Sequence, residues 1–175
     1  RDLNVLQDFN DLNASLSGQP LEIGSQNWID GRLDSLGLSS IGLTTIPESI
    51  GNLNSLVWLL LTDNQLTSIP ESIGDLSNLE VLNLGENQLT SIPESVGNLN
   101  SLLWLVSADN QLTSIPESIG DLSNLEVLNL YENQLTSIPE SIGNLNSLFL
   151  LVLSDNQLTS LPESLCSIYS NLTIF

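Results

Sequence analysis

Between Leu56 and Pro70 the apolar positions fall as Leu-x-x-Leu-x-Leu-x-x-Asn-x-Leu-x-x-Ile-Pro, and the frame returns from Leu79, Leu102, Leu125 and Leu148 at a constant step of 23 residues. An earlier copy, Leu33 to Pro47, has Ile41 where the others have asparagine. Inside each copy Leu59-x-Leu61 alternates with a period of two. That predicts a short strand with its leucines pointing inward and Trp58, Leu60 and Thr62 pointing outward. Asn64 and its equivalents stand where the chain leaves the strand, and an amide there can serve backbone groups that the core would otherwise orphan. Ser68-Ile69-Pro70-Glu71 then spells a capping box, with Ser68 as N-cap, Glu71 reaching back and Gly74 ending the element. Only about one turn fits before Leu76 and Leu79, so the return passage should hold short 3₁₀ or single-turn helices.

A unit this small cannot bury its own apolar residues, so copies must stack into a solenoid with one continuous core. Strands are expected to align in parallel at Leu36, Leu59, Leu82, Leu105, Leu128 and Leu151, with Leu172-Thr173-Ile174-Phe175 opening a further one. Ser107 takes an inward position where the other full copies carry Leu61, Leu84, Leu130 and Leu153, which predicts a locally thin core. Ahead of the repeats, Val5, Phe9, Leu12 and Leu16 mark one stripe of a helix over residues 2–17, ended by Gly18-Gln19-Pro20. Residues 19–32 read as irregular, with Ile23 and Trp28 covering the first copy. The division is therefore a helical cap at 1–32 and repeats at 33–175, six complete and a truncated seventh. No closing cap follows, so the natural chain is expected to continue beyond Phe175.

These motifs resemble those of leucine-rich repeat proteins, and Ile-Pro-Glu-Ser-Ile-Gly-Asn-Leu is similar to the plant type found in receptor ectodomains and in secreted bacterial and protist proteins. The unit here is one residue shorter than the usual plant one, and the cap lacks the customary cysteine pair. The resemblance implies an α/β fold: a right-handed solenoid bent into a horseshoe, its parallel sheet on the concave face and its 3₁₀ turns on the convex face. It also implies a continuous asparagine ladder and a ligand met on the concave face. Placement outside the cell or at its surface is expected, with the cytoplasm left open.

Charge narrows the partners. Of 175 residues, 21 are acidic and only Arg1 and Arg32 are basic, giving a formal net charge of -19. Phosphate backbones and anionic membranes are bound through Lys and Arg, so both are poor partners; basic segments and cations are favoured instead. No apolar run approaches the roughly 18 residues of a membrane span. Arg1-Asp2-Leu3 shows no secretion-leader pattern, so a leader is expected to have been removed or never present. Cys166 is the single cysteine, expected as a small buried side chain. Asn13-Ala14-Ser15 and Asn171-Leu172-Thr173 match the glycosylation pattern by spelling.

Candidate function sits on the outward strand positions. The copies alternate between two types, and their differences gather on the strand: Trp58, Trp104 and Leu150 in one column, Leu60, Val106 and Val152 in the next. With Val81 and Val127 they form an apolar stripe facing water, flanked by Asp63, Asp109 and Tyr131. Exposed tryptophans are the residues that dominate binding hot spots. The expected partner is a protein or peptide, basic or aromatic; self-association through that face or through the open C-terminal edge is a further option. Two alternatives rest on other columns. Thr67, Thr90, Thr113, Thr136 and Thr159 resemble the hydroxyl arrays of ice-binding solenoids, and the ladder Asp63, Glu86, Asp109, Glu132, Asp155 could gather cations such as Ca²⁺. No 12-residue calcium loop is spelled, so no metal site is assigned, and no cofactor is expected. An enzyme is not expected either: the chain has no histidine, Cys166 lacks a base, and no phosphate-cradling glycine loop occurs.

Overall fold

Leu36, Leu59, Leu82, Leu105, Leu128 and Leu151 stand side by side in successive parallel strands, the register their common spacing requires. The computed structural model describes residues 1–175, the side chain of Asn171 excepted; the acceptor pattern at Asn171 thus lies outside the described residues. The chain forms helix α1 (Asp2–Leu12) and eight strands: β1 (Ser25–Ile29), β2 (Arg32–Gly37), β3 (Trp58–Leu60), β4 (Val81–Asn83), β5 (Trp104–Val106), β6 (Val127–Asn129), β7 (Leu150–Val152) and β8 (Thr173–Ile174). They make one open sheet in sequence order. β2 to β8 run parallel, and β1 is antiparallel to β2.

The core is a set of columns, one residue per copy. Leu33, Leu56, Leu79, Leu102, Leu125 and Leu148 form the first, the six strand leucines the second, and Leu43, Leu66, Leu89, Leu112 and Leu135 a third, all buried. Each such leucine contributes about 1.5–3 kcal/mol of burial. Between columns runs the asparagine ladder. Asn87 Oδ1 accepts from the Leu66 amide at 3.0 Å, while its Nδ2 donates to the carbonyls of Leu61 (3.0 Å), Leu84 (3.1 Å) and Gly85 (3.0 Å). Asn64, Asn110, Asn133 and Asn156 repeat the arrangement.

Ser107 breaks its column: it is fully buried, and its hydroxyl has no partner among the described residues. An unpaired buried hydroxyl costs free energy, and the missing leucine leaves apolar contacts unmade. Ser107→Leu is expected to raise stability by about 1 kcal/mol in urea unfolding, with Ser107→Ala separating the hydroxyl's share from the packing. A loss of stability in the leucine variant would show that neighbours already fill the space.

On the opposite side, 3₁₀ turns at Glu48–Asn52, Glu71–Asp75, Glu94–Asn98, Glu117–Asp121, Glu140–Asn144 and Glu163–Ser167 stack on one another. They correct the expected capping box. Pro70 is still extended, at φ -69° and ψ 151°, and is itself the N-cap, so exposed Ser68 is too far upstream to reach the first helical amides. The glutamate reaches forward instead: Glu71 accepts from the Ser95 amide of the next copy at 3.3 Å, as do Glu94 from Ser118 (3.4 Å) and Glu140 from Ser164 (3.0 Å). Gly74 does not end its turn, which runs on to Asp75. A Cβ there would sit 2.4 Å from the Ser95 carbonyl oxygen, so glycine is required by the close approach of successive turns. Cys166 occupies this same glycine column. It is exposed rather than buried, because among the described residues no further Glu-Ser turn stacks upon it.

The amino-terminal segment differs from expectation in two places. Helix α1 ends at Leu12 because Asn13 turns inward: its Nδ2 donates to the Phe9 and Thr45 carbonyls, both at 2.9 Å, and its Oδ1 accepts from the amides of Thr44 (2.9 Å) and Thr45 (3.0 Å). At 1% exposure Asn13 is closed to glycosylation in the folded chain. The buried face is Val5, Leu6 and Phe9, and Leu12 is exposed. Residues 19–32, expected to be irregular, hold a 3₁₀ turn at Pro20–Glu22 and strand β1, joined to β2 by Asp30 (φ 48°) and Gly31 (φ 75°). Asp-Gly with both φ positive makes a type I′ hairpin. Asp2 ties the helix to the first copy, accepting from Arg32 Nε at 2.9 Å and from the Leu33 amide at 2.9 Å. Burial pushes its carboxyl up, but Arg32 and the Leu33 amide outweigh that and hold it below the usual aspartate value.

Candidate functional site

The strands place the apolar column outward as the alternation predicts. Trp58, Val81, Trp104, Val127 and Leu150 are neighbours in register, as are Leu60, Asn83, Val106, Asn129 and Val152. Trp58 is 51% and Trp104 48% exposed, while the leucine and valine positions around them are half-buried. Adjacent strands lie about 4.8 Å apart, so the two indoles are separated by about 9.6 Å with the smaller Val81 between them. The result is a groove of about 520 Å³. Its floor and ridges are Trp58, Leu60, Val81, Asn83, Trp104 and Val106; Glu80, Leu103 and Glu126 close one edge.

That edge is the part of the site which alternation missed. Two amides share one carbonyl at the entries of β4 to β7: Glu80 and Val81 both donate to Val57, Leu103 and Trp104 to Glu80, Glu126 and Val127 to Leu103, Phe149 and Leu150 to Glu126. Such a two-to-one arrangement, like a bulge, breaks the parity of the strand. Leu56 and Leu59 both point inward, so the two residues between them share the outward side. The signal was present in the repeat, because the column Val57, Glu80, Leu103, Glu126, Phe149 lies one position before the tryptophans.

The opposite rim is the acidic ladder. Asp63, Glu86, Asp109, Glu132 and Asp155 adopt left-handed φ values of 50–56°, at the turn that sends the following asparagine into the core. Asp63 is exposed and Asp109 half-buried on this rim, outside the groove lining. Tyr131 stands further along it, where the hydrogen bond and charge of Asp155 raise its phenol above the ordinary value. Beside it, hydrogen bonding and charge from Asp109 push the Glu132 carboxyl up. Val127, Leu150 and Val152 continue the stripe beyond the groove on the same face. Among the described residues no cluster of three or more metal-ligating side chains forms.

These shifts give a pH dependence. A carboxyl whose folded pKa is raised binds its proton more tightly in the folded chain, so the Glu132 contribution to stability grows as pH falls through the region just above 4.5. Asp2 and Glu140 have lowered values, and what they contribute is lost as pH falls through their folded pKa, below 3.8 and 4.5 respectively. The melting temperature should therefore rise on mild acidification and fall on stronger acidification, with Glu132→Gln flattening the rise. Added salt, or millimolar Ca²⁺, should raise it gradually by screening the ladder. Calorimetric saturation at one ion per chain would overturn the screening account.

Against this geometry the chain can be compared with known proteins. The pattern of a leucine-rich repeat region matches residues 32–125 and that of the leucine-rich repeat matches residues 106–158. The chain belongs to the leucine-rich repeat family. Among solved structures it is similar to a leucine-rich repeat protein of Leptospira interrogans, at 33% identity and TM-score 0.76 over 82% of this chain and 37% of that one. It is similar to the ectodomain of the plant membrane receptor kinase GASSHO1/SCHENGEN3 from Arabidopsis thaliana, solved in complex with Casparian strip integrity factor 2, at 40% identity and TM-score 0.75 over 82% of this chain and 18% of that one. A third is an internalin of Listeria monocytogenes, at 28% identity and TM-score 0.65 over 80% and 39%. The chain thus spans well under half the length of each. No curated protein sequence matches it significantly. The fold is commonly a protein-binding module and typically non-catalytic. No helix of the described residues is long and apolar enough to cross a membrane.

Proposed function

We propose that this chain is a non-catalytic module that binds a protein or peptide on its sheet face, through Trp58, Leu60, Val81, Trp104 and Val106, with Asp63, Asp109, Val127, Tyr131, Leu150 and Val152 as the flanking surface. The observation that carries this reading is a pair of half-exposed indoles bounding an apolar groove between two acidic rims. An apolar surface of this kind is costly to leave in water and serves a partner. The plant receptor ectodomain solved with its ligand is a similar fold in a binding role. We place the chain outside the cell or at its surface, and divide it into a cap at 1–32 and repeats at 33–175.

The double variant Trp58→Ala with Trp104→Ala tests the reading. Both side chains point away from the core, so melting temperature and circular dichroism should stay near those of the parent chain. Peptides selected from a random library on the parent chain should lose at least tenfold in affinity for the variant. Equal affinity for both chains would remove this face as the site, and an unfolded variant would mean that the indoles are buried.

A further inference from the structure

Resting on that binding face, the spacing of the groove selects one peptide conformation. Its ridges do not recur at every strand. Bulky Trp58, Trp104 and Leu150 alternate with smaller Val81 and Val127, so the repeat along the sheet is two strands, about 9.6 Å. The acids of the near edge follow the same period, Glu80 and Glu126 lying two strands apart with Leu103 between them. A segment laid across the strands must therefore offer an apolar group and a cation every two strands.

The three regular conformations differ here. An extended strand repeats its facing side chains every two residues, about 6.7 Å, and falls out of step at once. An α-helix returns to the same face after seven residues, about 10.5 Å. A polyproline II helix returns every three residues, about 9.3 Å, and keeps its carbonyls free of internal hydrogen bonds. On a concave face the side-chain tips converge, which moves the required repeat toward the shorter value.

Hydrogen-bond donors suit the same choice. Asn83 and Asn129 use Oδ1 to accept from the amides of Gly85 and Tyr131, both at 3.0 Å. That leaves each Nδ2 free to donate to a ligand carbonyl. Stacking of proline rings between aromatic side chains is how polyproline segments dock elsewhere. With a net charge of -19 and acids on both rims, the residue beside each proline contact should be Arg or Lys.

We infer that the groove binds a basic, proline-rich segment in the polyproline II conformation, lying across strands β3 to β7 with prolines against Trp58 and Trp104 and cations against Glu80 and Glu126. Calorimetric titration with three peptides of equal charge tests this: (Pro-Pro-Arg)₄, a permuted peptide with its four arginines together at one end, and an alanine-based helical peptide with four arginines. The first should bind at least tenfold more tightly than the other two. Trp58→Ala with Trp104→Ala should cost tenfold or more, and Glu80→Gln with Glu126→Gln should do the same while reducing the salt dependence. Equal affinity for the permuted peptide, preference for the helical one, or indifference to the glutamine variant would overturn the inference. Trp-dependent binding of library peptides without binding of (Pro-Pro-Arg)₄ would overturn the polyproline assignment and leave the binding face standing. No Trp-dependent binding of any peptide would overturn both.

Discussion

Asn110→Ala is expected to lower the unfolding free energy by about 3 kcal/mol, measured by urea denaturation, with the loss of folded signal spread over several copies. Asn110 Oδ1 accepts from the Leu89 amide at 2.9 Å, and its Nδ2 donates to the carbonyls of Leu84 (2.9 Å) and Ala108 (3.1 Å). Alanine leaves the buried Leu89 amide unsatisfied at about 1–3 kcal/mol, and the Leu84 and Ala108 carbonyls, which keep Asn87 Nδ2 and the Glu86 amide, each lose a second donor worth about 0.5–1.5 kcal/mol. A methyl group in place of the amide also opens a small void. Asn110→Asp sharpens the test, since it keeps the shape and the accepting oxygen. Its second oxygen would face the carbonyls of Leu84 and Ala108, so the aspartate should be the worse variant near neutral pH and recover as its carboxylate is protonated. An aspartate variant as stable as the parent would mean that water reaches the ladder.

The period of the chain is why so much of this fold was legible. Identity at a step of 23 fixes which residues share a column, and the Leu-x-Leu alternation then fixes which columns are buried; register, strand direction and the outward placement of Trp58 and Trp104 all follow. Beyond the repeat such redundancy is missing. The hairpin at Asp30-Gly31 was spelled by a turn signal, but the alternating residues around it are mostly polar, so the periodicity that marks a half-buried strand was absent. The early end of α1 was hidden because Asn13 looks like a surface residue until Thr44 and Thr45 are brought to it. Ser68 and Glu71 have the spacing of a capping box, yet Pro70 remains extended and the glutamate serves the next copy; a local pattern was overridden by stacking. Glu80 and Glu126 escaped notice because strict alternation assigns their column to the core, and only the sharing of one carbonyl by two amides turns it outward.

Stacking is also the basis of the remaining large effect: Gly97→Ala is expected to destabilise the chain by about 3 kcal/mol. A Cβ at Gly97 would lie 2.6 Å from both Cβ and O of Ser118 in the next turn. Two influences compete. Replacing glycine by alanine restricts the unfolded chain and on its own favours folding by about 0.4–1 kcal/mol. Against this, one of the obstructing atoms is backbone and cannot swing aside, so the turn at Glu94–Asn98 must separate from the turn at Glu117–Asp121. Overpacking of this kind costs typically 1–3 kcal/mol, and separation also stretches the Glu94 to Ser118 hydrogen bonds, so the steric effect wins. Gly85→Ala serves as control. There the nearest atom is the Asn83 side-chain oxygen at 3.3 Å, and the equivalent residue of another copy is Tyr131, so a change within about 0.5 kcal/mol is expected. Because each copy touches only its neighbours, hydrogen exchange should locate the damage in those two turns, with the strands near Leu36 and Leu151 unaffected. Uniform loss of protection along the whole chain would mean that the solenoid unfolds as a single unit and that the clash at Gly97 is felt globally.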